Sequence, residues 1–225
     1  MEITMYDNLL LLPLFQGLSK NDITSIIEKV KLHFQQYQEG ETLIRQEDTC
    51  DKLCFLLKGR MTVQRQDKEY GYSLSEVLGE PSIIEPQSLF GMHTRFTATY
   101  RAQTTVHVLT IDKKYLFSEL NRYEIFWLNY LNILSNQCQR NHEKLWNNHI
   151  GNLNEKFIHF ISQRSLKQTG EKTLHVTMED LANLINETRI NLSRLLNELQ
   201  NKGLVQLRRK EIYIPEFEKL KTALS

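Results

Sequence analysis

Apolar residues recur at helical spacing in two consecutive segments of this chain, residues 178–185 and 189–202. A threonine precedes each segment, and the hydroxyls of Thr177 and Thr188 can cap the two helices. Between the segments, Asn186 stands where a tight turn needs a residue that tolerates a positive φ angle. The pattern therefore predicts a helix-turn-helix, whose inward face consists of Leu181, Leu184, Ile185, Leu192, Leu195, Leu196 and Leu199.

The outward face of the second predicted helix carries polar side chains near its N-terminus. Gly203 is predicted to end this helix. In a recognition helix, residues of the N-terminal half contact base edges and phosphates. An αα-hairpin without any DNA-related role would share the caps, the turn and the leucines, so the spacing alone leaves that alternative open. The residues predicted to contact DNA from this motif are Thr177, Thr188, Arg189, Ile190, Asn191, Ser193 and Arg194.

Two short apolar runs follow the second helix, at residues 204–207 and 212–214, with a basic turn between them. This arrangement predicts a β-hairpin, and a helix-turn-helix followed by such a hairpin is a winged helix. Arg208, Arg209 and Lys210 at the tip of the hairpin suit contact with phosphates. A solvated turn without a partner would have the same composition, and this alternative also stays open.

Residues 112–147 contain neither proline nor glycine and carry two apolar stripes, which predicts one long helix. One stripe runs from Leu116 to Leu134 and the other from Leu128 to Leu145. Two apolar stripes imply burial on two sides, so we expect one to pack on its own domain and the other on a second copy of the chain. Burial within a monomeric core is the alternative. The residues predicted at the dimer interface are Trp127, Leu131, Leu134 and Cys138.

Between residues 37 and 111 the hydrophobic pattern changes to short runs separated by turn signals such as Lys58-Gly59 and Glu85-Pro86. Many short, evenly spaced strands predict an all-β barrel or jelly roll, and residues 19–30 ahead of it predict a capped helix. The predicted fold class is therefore α+β. The predicted domains are a β jelly-roll barrel with its leading helix at 1–111, a long dimerisation helix at 112–148 and a winged helix-turn-helix at 149–225.

Composition narrows the class of protein further. The 225 residues are 40% hydrophobic and 24% charged, which is typical of a soluble globular protein. No run approaches the roughly 20 apolar residues of a membrane span, and no secretory signal is evident, so a cytoplasmic location is expected. Residues 151–225 contain 12 basic and 9 acidic residues, a net charge of +3 that suits a nucleic-acid partner.

Candidate metal and catalytic chemistry is sparse. The three cysteines lack a Cys-x-x-Cys pair, and the seven histidines are scattered, so neither a disulfide scaffold nor a metal site is predicted. A cupin-type enzyme would need clustered histidines in the barrel, which offers only His93 and His107. Because no nucleophile–base pair, P-loop or dinucleotide motif is present either, we predict no catalytic residues.

The order of elements and two motifs resemble the Crp/Fnr family of bacterial transcription regulators over nearly the whole chain. The barrel motif comprises residues 37–44 and 51–61, and the second motif lies in the helix-turn-helix at residues 181–194. The resemblance implies double-stranded DNA as a partner, with RNA polymerase as a further candidate. It implies that Arg189, Ile190 and Arg194 occupy base-reading positions, with Thr188, Asn191 and Ser193 as phosphate or supporting contacts.

The same resemblance implies a sensory barrel but leaves its effector and any cofactor unknown. Cyclic-nucleotide binders of this family have Gly-Glu, a short helix and then Arg-Ser/Thr-Ala; the Glu binds the ribose and the Arg the cyclic phosphate. In this chain Met92 occupies the position of that Glu and Phe96 the position of that Arg, so cyclic AMP is not expected to bind. Arg95 is a candidate anion contact or, with His93, an exposed loop residue. The candidate effector residues are Phe90, Gly91, Met92, Arg95, Thr97, Asn141 and His142, the last two of which could instead fix the dimer register.

The sequence therefore predicts a homodimeric, non-catalytic transcription regulator that reads a pseudo-palindromic operator. A ligand-binding barrel that regulates a partner protein without DNA is the alternative. That alternative leaves the C-terminal winged helix without a purpose.

Overall fold

The computed structural model describes residues 9–146 and 151–224, which belong to two compact units. The first unit contains the chain up to Thr62 and residues 78–142; the second contains residues 63–77 and the chain from Glu143 onward. The predicted boundary between residues 148 and 149 lies outside the described residues. Residues 63–77, which the sequence pattern assigns to the barrel, belong to the unit that carries the helix-turn-helix.

The first unit opens with helix α1 (Lys20–Lys29), which confirms the predicted capped helix. The hydroxyl of Ser19 accepts a hydrogen bond from the Asp22 backbone, and the Asp22 carboxylate binds the Ser19 backbone in return. Eight strands follow along the chain: β1 (Leu32–Tyr37), β2 (Thr42–Ile44), β3 (Lys52–Lys58), β4 (Arg60–Asp67), β5 (Tyr72–Gly79), β6 (Ser82–Ile84), β7 (Thr99–Ala102) and β8 (Val106–Asp112). Most of β4 and of β5 belongs to the second unit. A short 3-10 helix, Pro86–Leu89, lies between β6 and β7.

These strands form the predicted antiparallel β-domain. One sheet has the order β1-β8-β3-β6, and β2 pairs with β7, as in a jelly roll. The turn between β3 and β4 requires Gly59, whose φ is +97° and whose added Cβ would lie 2.6 Å from the Thr105 carbonyl oxygen. The position is therefore closed to any larger residue on both steric and backbone grounds.

The long helix predicted for residues 112–147 begins later than predicted, because the chain first forms two shorter helical pieces. Helix α2 (Lys114–Ser118) is followed by a 3-10 turn at Leu120–Arg122 and then by helix α3 (Glu124–Trp146). The backbone leaves the helical region at Glu119 and Tyr123 without proline or glycine. Leu116 and Leu120 are both fully buried. Burial of these two leucines in the domain overrides the local helical preference of the segment.

The second unit is built around one hydrophobic core of helices and a small sheet. Its elements are α4 (Leu153–Arg164), β9 (Lys172–His175), α5 (Met178–Leu184), α6 (Arg189–Asn201), β10 (Gln206–Arg208), β11 (Glu211–Ile214) and α7 (Phe217–Leu224). The strands β10, β11, β9 and β5 lie side by side in this order and pair antiparallel, so β5 extends the sheet that carries the hairpin. The predicted winged helix is confirmed, and it contains a strand, β9, that the sequence pattern did not reveal.

A buried ion pair fastens β5 to β9 within this sheet. Glu76 and Lys172 are paired in the strand register, and their charged atoms lie 3.0 Å apart with side chains 4% and 2% exposed. The Glu76 carboxylate also accepts hydrogen bonds from the backbone amides of Leu166 and Lys167, and the Lys172 ammonium donates to the Thr169 carbonyl. Both buried charges are thus compensated by hydrogen bonds as well as by each other.

Candidate nucleic-acid interface

The two helices of the helix-turn-helix begin where the sequence predicts. The hydroxyl of Thr177 accepts from the Asp180 amide at the start of α5, and that of Thr188 accepts from the Asn191 amide at the start of α6. Asn186 has the predicted positive φ, +52°, in the turn, and Gly203 has φ +70° just beyond α6. The local signals in the sequence therefore fix both ends of the recognition helix.

Lys156 on α4 holds this turn in place. Its ammonium lies 2.7 Å from a carboxylate oxygen of Glu187 and 3.3 Å from the carbonyl oxygen of Asn186. The hydrogen bond from Lys156 lowers the pKa of the Glu187 carboxyl below its usual range. The turn residue with the left-handed backbone is thus tied directly to the neighbouring helix.

Helix α6 separates a packing face from an exposed face. The four leucines of its inner face, Leu192, Leu195, Leu196 and Leu199, are all buried in the core of the unit. Arg189, Asn191 and Arg194 are exposed, and the Ile190 side chain is 65% exposed, which is unusual for an isoleucine. The first turns of α6 therefore present two cations, one amide and one apolar group outward.

Three further residues predicted to contact DNA also have side-chain contacts within the unit. Ser193 is half-buried, and its hydroxyl lies 3.5 Å from the side-chain amide of Asn197. The Thr177 hydroxyl donates to the Asp180 carboxylate in addition to capping α5. On the hairpin, the Arg208 guanidinium lies 3.1 Å from the Glu211 carboxylate, across the turn. These contacts favour supporting roles over direct reading for Thr177 and Ser193.

The tip of the wing is a two-residue turn made of Arg209 and Lys210. Arg208 and Glu211 are the last paired residues of β10 and β11, and Lys210 has a positive φ of +59°. Both tip side chains are exposed, and the Lys210 carbonyl accepts from the Val176 amide. The backbone of the tip is therefore anchored while its two cationic side chains point away from the core.

The predicted effector residues in the barrel do not come together in one site. Met92 is 94% exposed, and Gly91 is exposed with φ +101°. The Arg95 guanidinium donates to the Glu47 carbonyl at 2.9 Å, while Phe90 packs its ring against Phe117 and Tyr130. The interpretation that Met92 takes the place of a ligand-binding glutamate is therefore wrong, because a fully exposed side chain lines no cavity.

The helical segment between β6 and β7 precedes Gly91-Met92 instead of following it. It is the 3-10 helix Pro86–Leu89, so the residue pair at its start is Glu85-Pro86, not Gly91-Met92. Glu85 is 5% exposed and has a left-handed backbone, with φ +39°. Sequence reasoning took Glu85-Pro86 only as a turn signal and missed this buried carboxylate.

A pocket of about 200 Å³ opens between the strands of the β-domain. None of the predicted effector residues lines it. The charged residues among those that line it are Asp48, Asp51 and Lys52, two acidic and one basic. The remaining lining residues are Gln35, Tyr37, Leu43, Ile44, Thr49, Cys54, Phe96, Val108 and Thr110.

The two apolar stripes of the predicted dimer segment differ in exposure. On the first stripe, Tyr130 is buried, and Trp127 and Leu134 are half-buried against their own unit. On the second stripe, Leu128 and Leu131 are 57% and 56% exposed, and Cys138 is exposed further along α3. Asn141 and His142 follow on the exposed part of the helix. Leu128 and Leu131 of the second stripe are thus largely exposed to solvent in a single chain.

The cysteines are free thiols with different surroundings. Burial, together with the neighbouring Glu85 and Asp51 carboxylates, raises the pKa of the Cys50 thiol to about 12. Burial also raises the pKa of the Cys54 thiol to about 12. Both are therefore protonated at neutral pH and poor nucleophiles. No group of three or more histidine, cysteine or acidic side chains that could hold a metal occurs in residues 9–146 and 151–224.

In the same part of the chain, no helix is both long enough and apolar enough to cross a membrane.

Family models match both units. The model of the cyclic nucleotide-binding domain matches residues 34–123, and that of the Crp-like helix-turn-helix domain matches residues 155–223. A relative from Mycobacterium tuberculosis, the CRP-like cAMP-activated global transcriptional regulator, is 19% identical over 213 residues, which cover 92% of this chain and 94% of the relative. The crystal structure of the Thermus thermophilus catabolite activator protein aligns with TM-score 0.55 and 18% identity over 95% of this chain and 100% of its own. At that identity the likeness shows the fold.

A barrel followed by a winged helix with an exposed cationic recognition helix defines a DNA-binding transcription regulator. The chain belongs to the Crp/Fnr family.

Replacing Lys156 by Met should lower the thermal stability of the protein at pH 7, because the turn loses its tie to α4. The Glu187 pKa is lowered in the folded state, so the stabilisation is complete above the ordinary value of 4.5 and is lost as the pH falls through the folded value. Thermal unfolding of wild type and variant between pH 3 and 7 should show the difference in Tm shrinking toward acid. Lys219→Met, which breaks an exposed ion pair with Glu216, is the control and should change Tm little at any pH. A difference for Lys156→Met that persisted unchanged at pH 3 would contradict the ion-pair account.

Proposed function

We propose that this regulator works as a homodimer in which two copies of α6 read the half-sites of a pseudo-palindromic operator. The observation that carries the proposal is the division of α6 into a buried leucine face and an exposed face with Arg189, Ile190 and Arg194. A recognition helix needs this division, because it must be held rigidly from behind while its front enters the major groove.

Arg189 and Ile190 at the start of α6 are the proposed base readers. An arginine can donate two hydrogen bonds to the O6 and N7 atoms of one guanine, whereas an isoleucine can only pack against a thymine methyl group. Arg194 lies five residues further on, so it reaches a different part of the groove. Thr188 and Asn191 are proposed to contact phosphates, with Thr177 and Ser193 in supporting positions.

The wing is proposed to contact the phosphate backbone. Arg209 and Lys210 extend from a turn whose backbone is anchored, and neither forms an ion pair among the described residues. Arg208 forms an ion pair with Glu211 and is therefore expected to contribute less to phosphate binding. Such contacts add affinity for any DNA sequence without adding specificity.

The second stripe of α3 is the proposed dimer seam. Leu128, Leu131 and Cys138 recur at spacings of three and seven residues, which matches the seam of a two-stranded coiled coil. Trp127 and Leu134 lie at its edge, since they already contact their own unit. A pair of leucines more than half exposed on one helix is costly in water, and a second copy of the chain would bury them.

The β-domain is proposed to be a sensory or structural module without catalytic activity. Neither its pocket nor the predicted residues Asn141 and His142 identify an effector, and the excess of acidic over basic residues in the pocket lining disfavours an anion such as cyclic AMP. RNA polymerase is a further proposed partner of the DNA-bound dimer.

Replacing Arg189 by Ala should weaken binding to a selected operator by about 1–3 kcal/mol per half-site and relax the preference at one base pair. A binding titration with the operator and with a scrambled duplex measures both effects. Lys202→Ala removes an exposed cation at the far end of α6 and serves as the matched control. Equal losses on both duplexes would show that Arg189 does not read a base.

Replacing Arg209 by Ala should weaken binding to all DNA sequences about equally. Because one phosphate contact would be lost, the slope of log K against log salt concentration should fall by about one per subunit. The measurement is a set of binding curves between low and moderate salt. An unchanged slope would remove Arg209 from the proposed interface.

Replacing Leu131 by Glu should produce monomers and abolish operator binding together, because a carboxylate cannot be buried in the seam and a single half-site supplies too little affinity. Sedimentation analysis and a mobility-shift assay measure the two effects. Asn136→Glu adds the same charge to an exposed position about 140° around the helix and should leave the dimer intact. A monomeric Leu131→Glu variant with full operator affinity would contradict the proposal.

A further inference from the structure

Three hydrogen-bond donors converge on the carboxylate of Glu85 inside the β-domain. The Ser88 hydroxyl and the Thr97 backbone amide both donate to Oε2 at 2.8 Å, and the Tyr100 hydroxyl donates to Oε1 at 3.0 Å. Ser88 and Tyr100 are themselves buried. The donors come from three different places in the chain: the 3-10 helix, the loop after it and strand β7. They therefore form a site that the tertiary fold assembles.

No cation shares this site. Among the described residues, no lysine, arginine or histidine forms an ion pair with Glu85. A buried carboxylate without a cation is stable only where N–H and O–H groups stabilise its charge. Its negative charge extends to the surroundings, since it contributes to the raised pKa of Cys50. A cluster of neutral donors around a buried anion is the arrangement by which proteins bind oxyanions in general.

The segment that contains Glu85 is attached to helix α3 at both ends of the 3-10 helix. The Tyr130 hydroxyl on α3 donates to the Pro86 carbonyl at 2.7 Å. The ring of Phe90 packs edge-on against the ring of Tyr130, with 6.1 Å between the ring centroids. The Lys113 ammonium donates to the Leu89 carbonyl at 2.7 Å. Tyr130 lies one residue before Leu131 of the exposed stripe. The segment around Glu85 therefore contacts the helix that carries the proposed seam.

We propose that the Glu85 carboxylate is the resident oxyanion of the β-domain and holds the segment 85–97 on α3 without a diffusible ligand. The site is specific for an oxyanion of carboxylate or phosphate type, and in this chain the side chain of Glu85 fills it permanently. The segment 85–97 is therefore held on α3 at all times, whether or not a small molecule is present. The position of this segment does not depend on the proposed function; only an effect of that position on DNA binding would rest on it.

Removal of the side chain should create a site that a small carboxylate can refill. In the full-length protein, Glu85→Ala should lower Tm, and potassium acetate should restore it in a saturable manner. At ten times its Kd, acetate should raise the Tm of the variant by about 3–6 °C. Potassium chloride at equal ionic strength and acetamide, a neutral molecule of the same shape, should not do so. Wild type should gain nothing specific from acetate or from cyclic AMP, because its site is occupied.

Two further variants make the test decisive. Glu39→Ala removes an exposed glutamate and should respond to acetate as wild type does. Glu85→Gln keeps the shape of the side chain but not its charge, and its Tm should lie below that of wild type even if Glu85→Ala fails to fold. Glu85→Gln with the stability of wild type, or Glu85→Ala with no acetate response beyond that of wild type, would overturn the proposal. Both readouts are independent of DNA, so a failure of operator binding alone would count against the proposed function and not against this site.

Discussion

The DNA-binding unit depends on the buried ion pair between Glu76 and Lys172. Removing one partner of such a pair costs about 3–5 kcal/mol, because the other charge stays buried without compensation. Here the two side chains also form hydrogen bonds with the backbone of residues 166, 167 and 169. The pair therefore holds the segment before β9 in place as well as the two strands. Pairing with β5 adds a further strand beside β9, which itself pairs with the wing hairpin. A two-stranded wing on its own would be marginal in water.

The helix-turn-helix could be predicted from the sequence because its signals are local. Thr188, Asn186 and Gly203 each fix a backbone feature within a few residues of themselves, and the leucine spacing identifies the buried face without knowledge of the rest of the fold. The pairing of β9 with β5 could not be predicted in this way. Residues 172–175 are too few for a periodic signal, and their partner lies about a hundred residues earlier in the chain. The helix break at Glu119 had no local signal either, since it follows from the burial of Leu116 and Leu120.

The barrel motif shows a different limit of sequence reasoning. The sequence pattern aligns Gly91-Met92 with the ligand-binding pair of the family, because the length of the loop before Thr97-Ala98 is not apparent from residue types. The structure places the short helix at Pro86–Leu89 and shows the Glu85 carboxylate against the Thr97 amide. The chemistry of the site therefore depends on which groups the fold brings to one point, a property that spacing along the chain does not encode.

The separation of the two faces of α6 also affects how this regulator can evolve. Arg189, Ile190 and Arg194 make no contribution to the hydrophobic core, whereas the leucines behind them are buried in it. Substitutions at exposed positions of this kind change stability by only about half a kcal/mol. New target sequences can therefore be acquired by changing surface residues one at a time, with the scaffold intact at every step, so that the regulator can move to other promoters without passing through unfolded intermediates.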